Sequence, residues 1–220
     1  MEAGELPADR GRRALKLDLY KQFKKEYVAP RTPALVMVGP ARYLTITGRG
    51  GPTEAAFTTA ISALYGVAFT IKMARKFAGR DYAVPKLEGR WWGGERGKLL
   101  IDSPPATWRW QLLLRVPSFV SAAHRAAALT VLARRGKSPL TRRVKLETIR
   151  EGRSVQLLHV GAYDAEHDSI RRMEEFARAA GWRFAGRHHE IYLSDPRRVP
   201  PARLRTILRY PVKSAAGSRR

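Results

Sequence analysis

The pattern of apolar and polar positions divides the chain into short strands interleaved with helices. Ala34–Val38 is a compact apolar run that reads as a strand, and Gly39-Pro40 is a turn. Arg42-Tyr-Leu-Thr-Ile-Thr47 alternates and reads as a second strand. Phe57, Ile61, Leu64, Ala68 and Ile71 recur at helical spacing. They predict a helix from Glu54 to about Phe77, capped by Thr53 and ended by Gly79. Residues 84–94 and 108–115 read as two more strands, with a loop over 95–105. Pro117-Ser-Phe then opens a second helix to about Arg135, and the stretch from Arg134 to Pro139 breaks the chain.

The order then repeats. Residues 144–149 and 154–160 read as strands, and Asp168 caps a helix with Ile170, Met173, Phe176 and Ala180 on one face. Gly181 ends that helix; His188 to Pro196 is a buried strand running into a turn, and 204–211 is the last strand. Counting supports a repeat: Glu88 follows Gly79 at the offset at which Glu190 follows Gly181, since 88−79 equals 190−181. The expected fold is α+β, two pseudo-symmetric strand-strand-helix-strand-strand modules over 34–135 and 140–213. Grooves between like modules are common ligand sites, so a central cleft is expected. Residues 1–33 form a basic arm with a short helix striped by Leu17, Tyr20, Phe23 and Tyr27, after a frayed lead-in at Arg10 to Arg13. Residues 214–220 form a loose basic tail.

Candidate chemistry gathers on the 188–196 strand. Alternation sends Ile191 and Leu193 one way and His188, Glu190 and Tyr192 the other. An acid is depleted in strands and costly to bury unpaired, so Glu190 stands out. It can pair with an Arg, attract a cationic ligand, or act as a general base that His188 tunes. Trp91, Trp92, Trp108 and Trp110 fall on two neighbouring strands of the first module. They supply either core area or a flat aromatic box for a planar or cationic ligand, and periodicity leaves both open. Trp92 shares the face of Glu88, Trp91 takes the other, and Trp108 and Trp110 share one face. Tyr65 lies beside the core stripe of the long helix. His188, His189 and Glu190 do not form a metal site by themselves, because strand neighbours point to opposite faces. No metal and no cofactor are expected, and no nucleotide or triad motif is present; the Gly48–Pro52 run lacks the ending of a phosphate loop.

Composition adds two things. There is no cysteine among the 220 residues, which excludes thiolate chemistry and a disulfide framework. With no signal pattern at Met1-Glu-Ala-Gly-Glu and no apolar run fit to span a bilayer, a cytoplasmic location without membrane contact is expected. The 42 Lys+Arg against 19 Asp+Glu leave a net charge of +23. These charges are spread along the chain without a nucleic-acid-binding motif, so at most weak, nonspecific DNA association is expected.

Several stretches resemble the GyrI-like small-molecule-binding domain proteins. They are Lys16-Leu-Asp-Leu-Tyr-Lys, Ala63-Leu-Tyr65-Gly-Val-Ala-Phe-Thr-Ile-Lys72, Leu87-Glu-Gly-Arg-Trp-Trp92, Val155-Gln-Leu-Leu-His-Val-Gly-Ala-Tyr163, His188-His-Glu-Ile-Tyr-Leu-Ser-Asp-Pro196 and Leu204-Arg-Thr-Ile-Leu-Arg209. The resemblance covers nearly the whole chain and implies two modules around a central cleft. Related domains are the effector-binding parts of multidrug-sensing regulators, where a pocket Glu and aromatic rings hold lipophilic cations. Stand-alone members similar to this chain hydrolyse cyclopropanoid genotoxins, DNA-alkylating natural products with a spirocyclopropane. The resemblance then implies that Glu190 positions or activates water. It also implies that Tyr65, with Trp91 or Trp92 and Trp108 or Trp110, clamps a flat ligand beside His188 and Tyr192. The rival expectations are a non-catalytic drug binder or sensor and a basic protein acting on DNA.

Overall fold

The computed structural model describes residues 16–93 and 100–215. The lead-in at Arg10 to Arg13, most of the loop after Gly93 and the end of the tail lie outside the described residues. Two single turns open the described chain, α1 (Leu19–Gln22) and α2 (Lys24–Tyr27), then β1 (Ala34–Val38) and β2 (Ala41–Arg49). The long helix α3 (Ala55–Phe77) leads to β3 (Glu88–Gly93), β4 (Trp108–Arg115) and α4 (Ala122–Arg134). The second half contains β5 (Lys145–Ile149), β6 (Gly152–Val160), α5 (Glu166–Ala179), β7 (Trp182–Phe184), β8 (His188–Tyr192) and β9 (Arg205–Ser214).

The strands pair antiparallel in the order β1-β6-β9-β8-β3-β4-β2-β5, with β7 on β9. The α+β class is as the sequence predicts, with one exchange. β1 pairs with β6 of the second module, and β5 pairs with β2 of the first. Each module's leading strand thus completes the other's sheet edge. Only two residues separate β1 from β2 and β5 from β6, yet neither pair forms a hairpin: in each, the chain passes from one end of the strand order to the other.

The helix boundaries shift for local reasons. The N-cap of α3 is Glu54, whose carboxylate takes the Gly51 N–H at 2.8 Å. α4 starts after Ser121, which forms a capping box with His124. α5 begins at Glu166, before the expected Asp168 cap, because a 3-10 turn over Tyr163–Ala165 feeds into it.

α3 is long and apolar enough to cross a membrane by length and composition. Leu64, Val67 and Ile71 are nevertheless at most 1% exposed, in a core with Leu44, Ile46, Leu112 and Leu114 of the sheet. It is the core helix of the first half. α5 covers the second half with Ile170 and Met173 over Val155, Leu157 and Leu208. The opposite sheet face is covered in part by the N-terminal arm. Tyr20, Phe23 and Tyr27 pack on Ile191 and Ile207, so the arm is docked, and Phe23 marks the break between its two turns.

Candidate functional site

β8 and β3 meet at the centre of the sheet. Their register pairs Glu190 with Gly89, His188 with Trp91 and Ile191 with Glu88. Residues directly opposite share a face, so Glu190, Gly89, His188 and Trp91 lie on the helix side. Glu88 and His189 lie on the arm side. The count from Gly79 and Gly181 makes Glu88 and Glu190 equivalent, but the register shifts the match by one residue. A one-residue slip in a strand exchanges faces. Glu190 is therefore matched by a glycine.

Glu190 is one of three titratable groups that converge there. The Nε2 of His188 lies 3.1 Å from its Oε1 and 3.8 Å from Oε2 of Glu166 on α5. His188 and Glu166 are almost fully buried, while the Glu190 side chain keeps 14% of its exposure. Burial pushes the Glu166 carboxyl up, and the neighbouring Glu190 charge pushes it further, to about 8. Burial opposes a charge on His188, but the two carboxylates outweigh it and raise His188 to about 9. At neutral pH the cluster thus stores protons on Glu166 and His188 beside the half-open Glu190.

The surroundings are aromatic. The Trp91 indole N–H donates to the Tyr192 hydroxyl at 3.2 Å. A Cβ on Gly89 would stand 2.7 Å from that hydroxyl and 3.0 Å from the indole nitrogen, so glycine makes room for the pair. Tyr163 meets Tyr192 edge-on at 5.8 Å, and burial raises its hydroxyl to about 12, with the Glu190 charge adding to the rise. Trp108 meets Trp91 edge-on at 5.8 Å, and its own N–H donates to the Ser103 carbonyl. Tyr65 stacks with Phe69 along α3; burial raises its pKa, and the charge of Asp195, just past β8, adds to the rise.

Of the residues singled out from sequence, the structure brings Glu190, His188, Tyr192 and Trp91 together, with Trp108 against Trp91. Tyr65 lies on α3 against Phe69, toward Asp195 rather than in the Glu190 cluster. Trp110 is 2% exposed and packs edge-on against Phe57. Its ring occupies the space a Cβ on Gly48 would need. It is core. Trp92 turns to the arm side, where the Arg187 guanidinium lies 3.6 Å from its ring centre. Sequence reasoning missed Glu166, Gly89 and Tyr163 as site residues. Glu166 precedes the expected helix start, so no periodicity flagged it.

Glu166, His188 and Glu190 also offer ligand atoms within 4.8 Å of one another, a spacing that can hold a metal ion. The arm side carries a second buried network. His189 lies 3.0 Å from both Glu88 and Glu151, and Arg209 is 3.1 Å from Glu151. Burial would raise Glu151, but His189 and Arg209 outweigh it and hold the carboxyl far below its usual range. Arg115 pairs with Glu26 of the arm at 2.7 Å, and Tyr27 donates to Glu88 at 3.0 Å. Arg209 also donates to the Glu26 carbonyl. Each charge there has an opposite partner, so this network fastens the arm.

Residues 117–213 match the model of the GyrI-like small molecule binding domain. A conserved protein from Listeria innocua is 37% identical, with a TM-score of 0.82, over 90% of this chain and 100% of its own. A structure described as a hydrolase from Listeria innocua is 34% identical, with a TM-score of 0.81 and the same coverage. The C-terminal domain of EcmrR shares the fold, with a TM-score of 0.54 at 10% identity over 83% of this chain and 98% of its own. No curated protein matches the chain.

Proposed function

The chain belongs to the GyrI-like small-molecule-binding family, and from that premise we propose that it binds flat aromatic molecules against the Trp91–Tyr192 wall and hydrolyses the cyclopropane ring of cyclopropanoid DNA-alkylating compounds. The observation that carries the reading is a partly exposed carboxylate, Glu190, set among aromatic rings and backed by two buried proton-holding groups. The relative described as a hydrolase supports turnover over binding alone.

The proposed chemistry needs little covalent help. Water attacks the strained ring CH2, its new C–O bond replacing the C–C bond to the spiro carbon. The released electron pair moves into the dienone and leaves a phenolate. Glu190 accepts the proton the water loses, and a proton from solvent or the site completes the phenol. What the protein supplies is an oriented water and a held ligand, effects worth several powers of ten when the geometry is right. Glu166 and His188 fix the direction of Glu190 and return its proton. Tyr65, on α3, is the proposed donor toward the dienone carbonyl.

Glu190 among aromatic rings is also what a lipophilic cation needs, so a sequestering or sensing module is the second reading. Glu190→Gln separates the two. The hydrolase loses turnover and keeps its ligand affinity within a few-fold; a cation binder loses affinity instead. The assay is product formation beside Trp quenching by the same compound.

A further inference from the structure

The arm side of the sheet changes character where the arm stops. Under the arm every buried guanidinium has a carboxylate: Arg115 has Glu26 at 2.7 Å and Arg209 has Glu151 at 3.1 Å. Beyond it, alternation along β3 and β4 presents Arg90, Trp92, Arg109 and Gln111 on the same face. Arg90 and Arg187 both donate to one neutral acceptor, Oε1 of Gln111, at 3.3 and 3.1 Å. Neither makes an ion pair within 4 Å among the described residues, and the Nε of Arg90 is buried without a partner. The nearest acids are engaged: Glu147 accepts from Thr45 and Gln111, and Glu151 from His189 and Arg209. Burial lowers the pKa of Arg187, and the charge of Arg90 lowers it further, which is the mark of two cations forced together.

Trp92, beneath Arg187, also lines a cavity of about 580 Å3 at the end of the sheet where β5 no longer pairs with β2. Arg49, Arg109 and Arg143 line it too, with Ile46, Ala60 and Leu140 as apolar walls. A cavity of this size fits one heteroaromatic base. Paired guanidiniums on a planar acceptor fit phosphate oxygens bidentately.

We propose a nucleotide-phosphate site at this end of the sheet, separate from the Glu190 cluster: Arg90 and Arg187 clamp a phosphate on the arm side, and the Arg-rimmed cavity, which Trp92 and Arg109 share and which reaches round β2 to the α3 side, takes its base. The chemistry serves a free nucleotide or one unit of a single-stranded nucleic acid. The net charge of +23 favours the chain over the free unit. A duplex, with its bases stacked inside, reaches the clamp but not the cavity.

The test is fluorescence anisotropy with a labelled single-stranded oligonucleotide, an unlabelled mononucleotide and inorganic phosphate as competitors, and a duplex of equal length. The wild-type protein is expected to bind the single strand at least tenfold tighter than the duplex, with salt-dependent affinity. Arg90→Gln with Arg187→Gln weakens this at least tenfold and lowers the salt slope by about 0.7, the contribution of one phosphate neutralised on a single strand. Arg109→Gln, exposed at the cavity, gives the same direction without touching the Gln111 network, which guards against misfolding of the double variant. Arg205→Gln and Arg178→Gln, exposed elsewhere, change affinity less than twofold. Competition by mononucleotide at a similar affinity per unit assigns the free ligand as the source and sustains the site. Equal weakening by all the Arg variants overturns the site, as does duplex binding as tight as single-strand binding, or no binding of any of these at low salt.

Discussion

Glu190 shows how much a single strand position can reveal. An acid two residues from His188 and Tyr192 on an alternating strand is anomalous, and that anomaly led to a side chain in a charged, aromatic cluster. Its partner Glu166 was hidden, because a carboxyl at a helix start reads as an ordinary favourable charge near the dipole. Glu166 gives the first prediction. Its pKa of about 8 means the folded protein keeps a proton that an unfolded carboxyl has already lost. The folded state therefore binds more protons between the usual carboxylate range and about pH 8, and stability falls as pH rises through that window. His188, raised to about 9, adds a fall of the same sign above its usual range. Chemical denaturation at stepped pH should show the decline, and Glu166→Gln should flatten its lower part. An unchanged slope in the variant would contradict the assignment. Turnover should fall over the same upper range as Glu166 ionises beside Glu190.

At the scale of elements, the pairing of β3 with β8 brings the candidate residues together, and Gly89 leaves room for the Trp91–Tyr192 pair. Gly89→Ala drives a methyl to within 2.7 Å of the Tyr192 hydroxyl and should break the Trp91–Tyr192 hydrogen bond. A several-fold loss of ligand affinity, with about 1–3 kcal/mol of destabilisation, is expected by titration and thermal unfolding. Alanine that leaves affinity intact would show that the ligand does not rest on the Trp91–Tyr192 wall. Periodicity found β3 and β8 as strands. It could not fix their register, because the repeat count from Gly79 and Gly181 is off by one where it matters. Register depends on which residues meet across the sheet, which no single strand encodes. The exchange of β1 and β5 between modules was hidden for the same reason.

The arm is an element with its own prediction. Glu151→Ala leaves Arg209 and His189 buried without their shared counter-charge, and should cost about 3–5 kcal/mol in thermal or denaturant unfolding. Limited proteolysis should then cut near residues 16–33 before the rest of the chain. A variant as stable as the parent would show that the network does not hold the arm.

On the whole-molecule scale, pattern was enough for the α+β class, since the class rests on repeated hydrophobic spacing. It was not enough to sort four tryptophans. Trp91 and Trp110 are both buried against Phe57, Trp91 alone of the two also bonding Tyr192 beside Glu190; Trp108 packs on Trp91, and Trp92 faces the other side. The cluster of Glu166, His188 and Glu190 has ligand spacing for a metal, and the proposed hydrolysis uses none. Extensive chelation followed by assay in metal-free buffer should leave turnover unchanged; loss restored by one divalent ion would move the chemistry to a metal.

The central claim is that Glu190 activates water on a strained ring. The most direct measurement incubates the protein and its Glu190→Gln variant with a spirocyclopropane alkylator and follows the product by mass spectrometry. Many turnovers to a product one water heavier are expected, with a loss of roughly a hundredfold or more in the variant and Trp quenching retained. Intact compound that still quenches Trp fluorescence would contradict hydrolysis and leave a binding module.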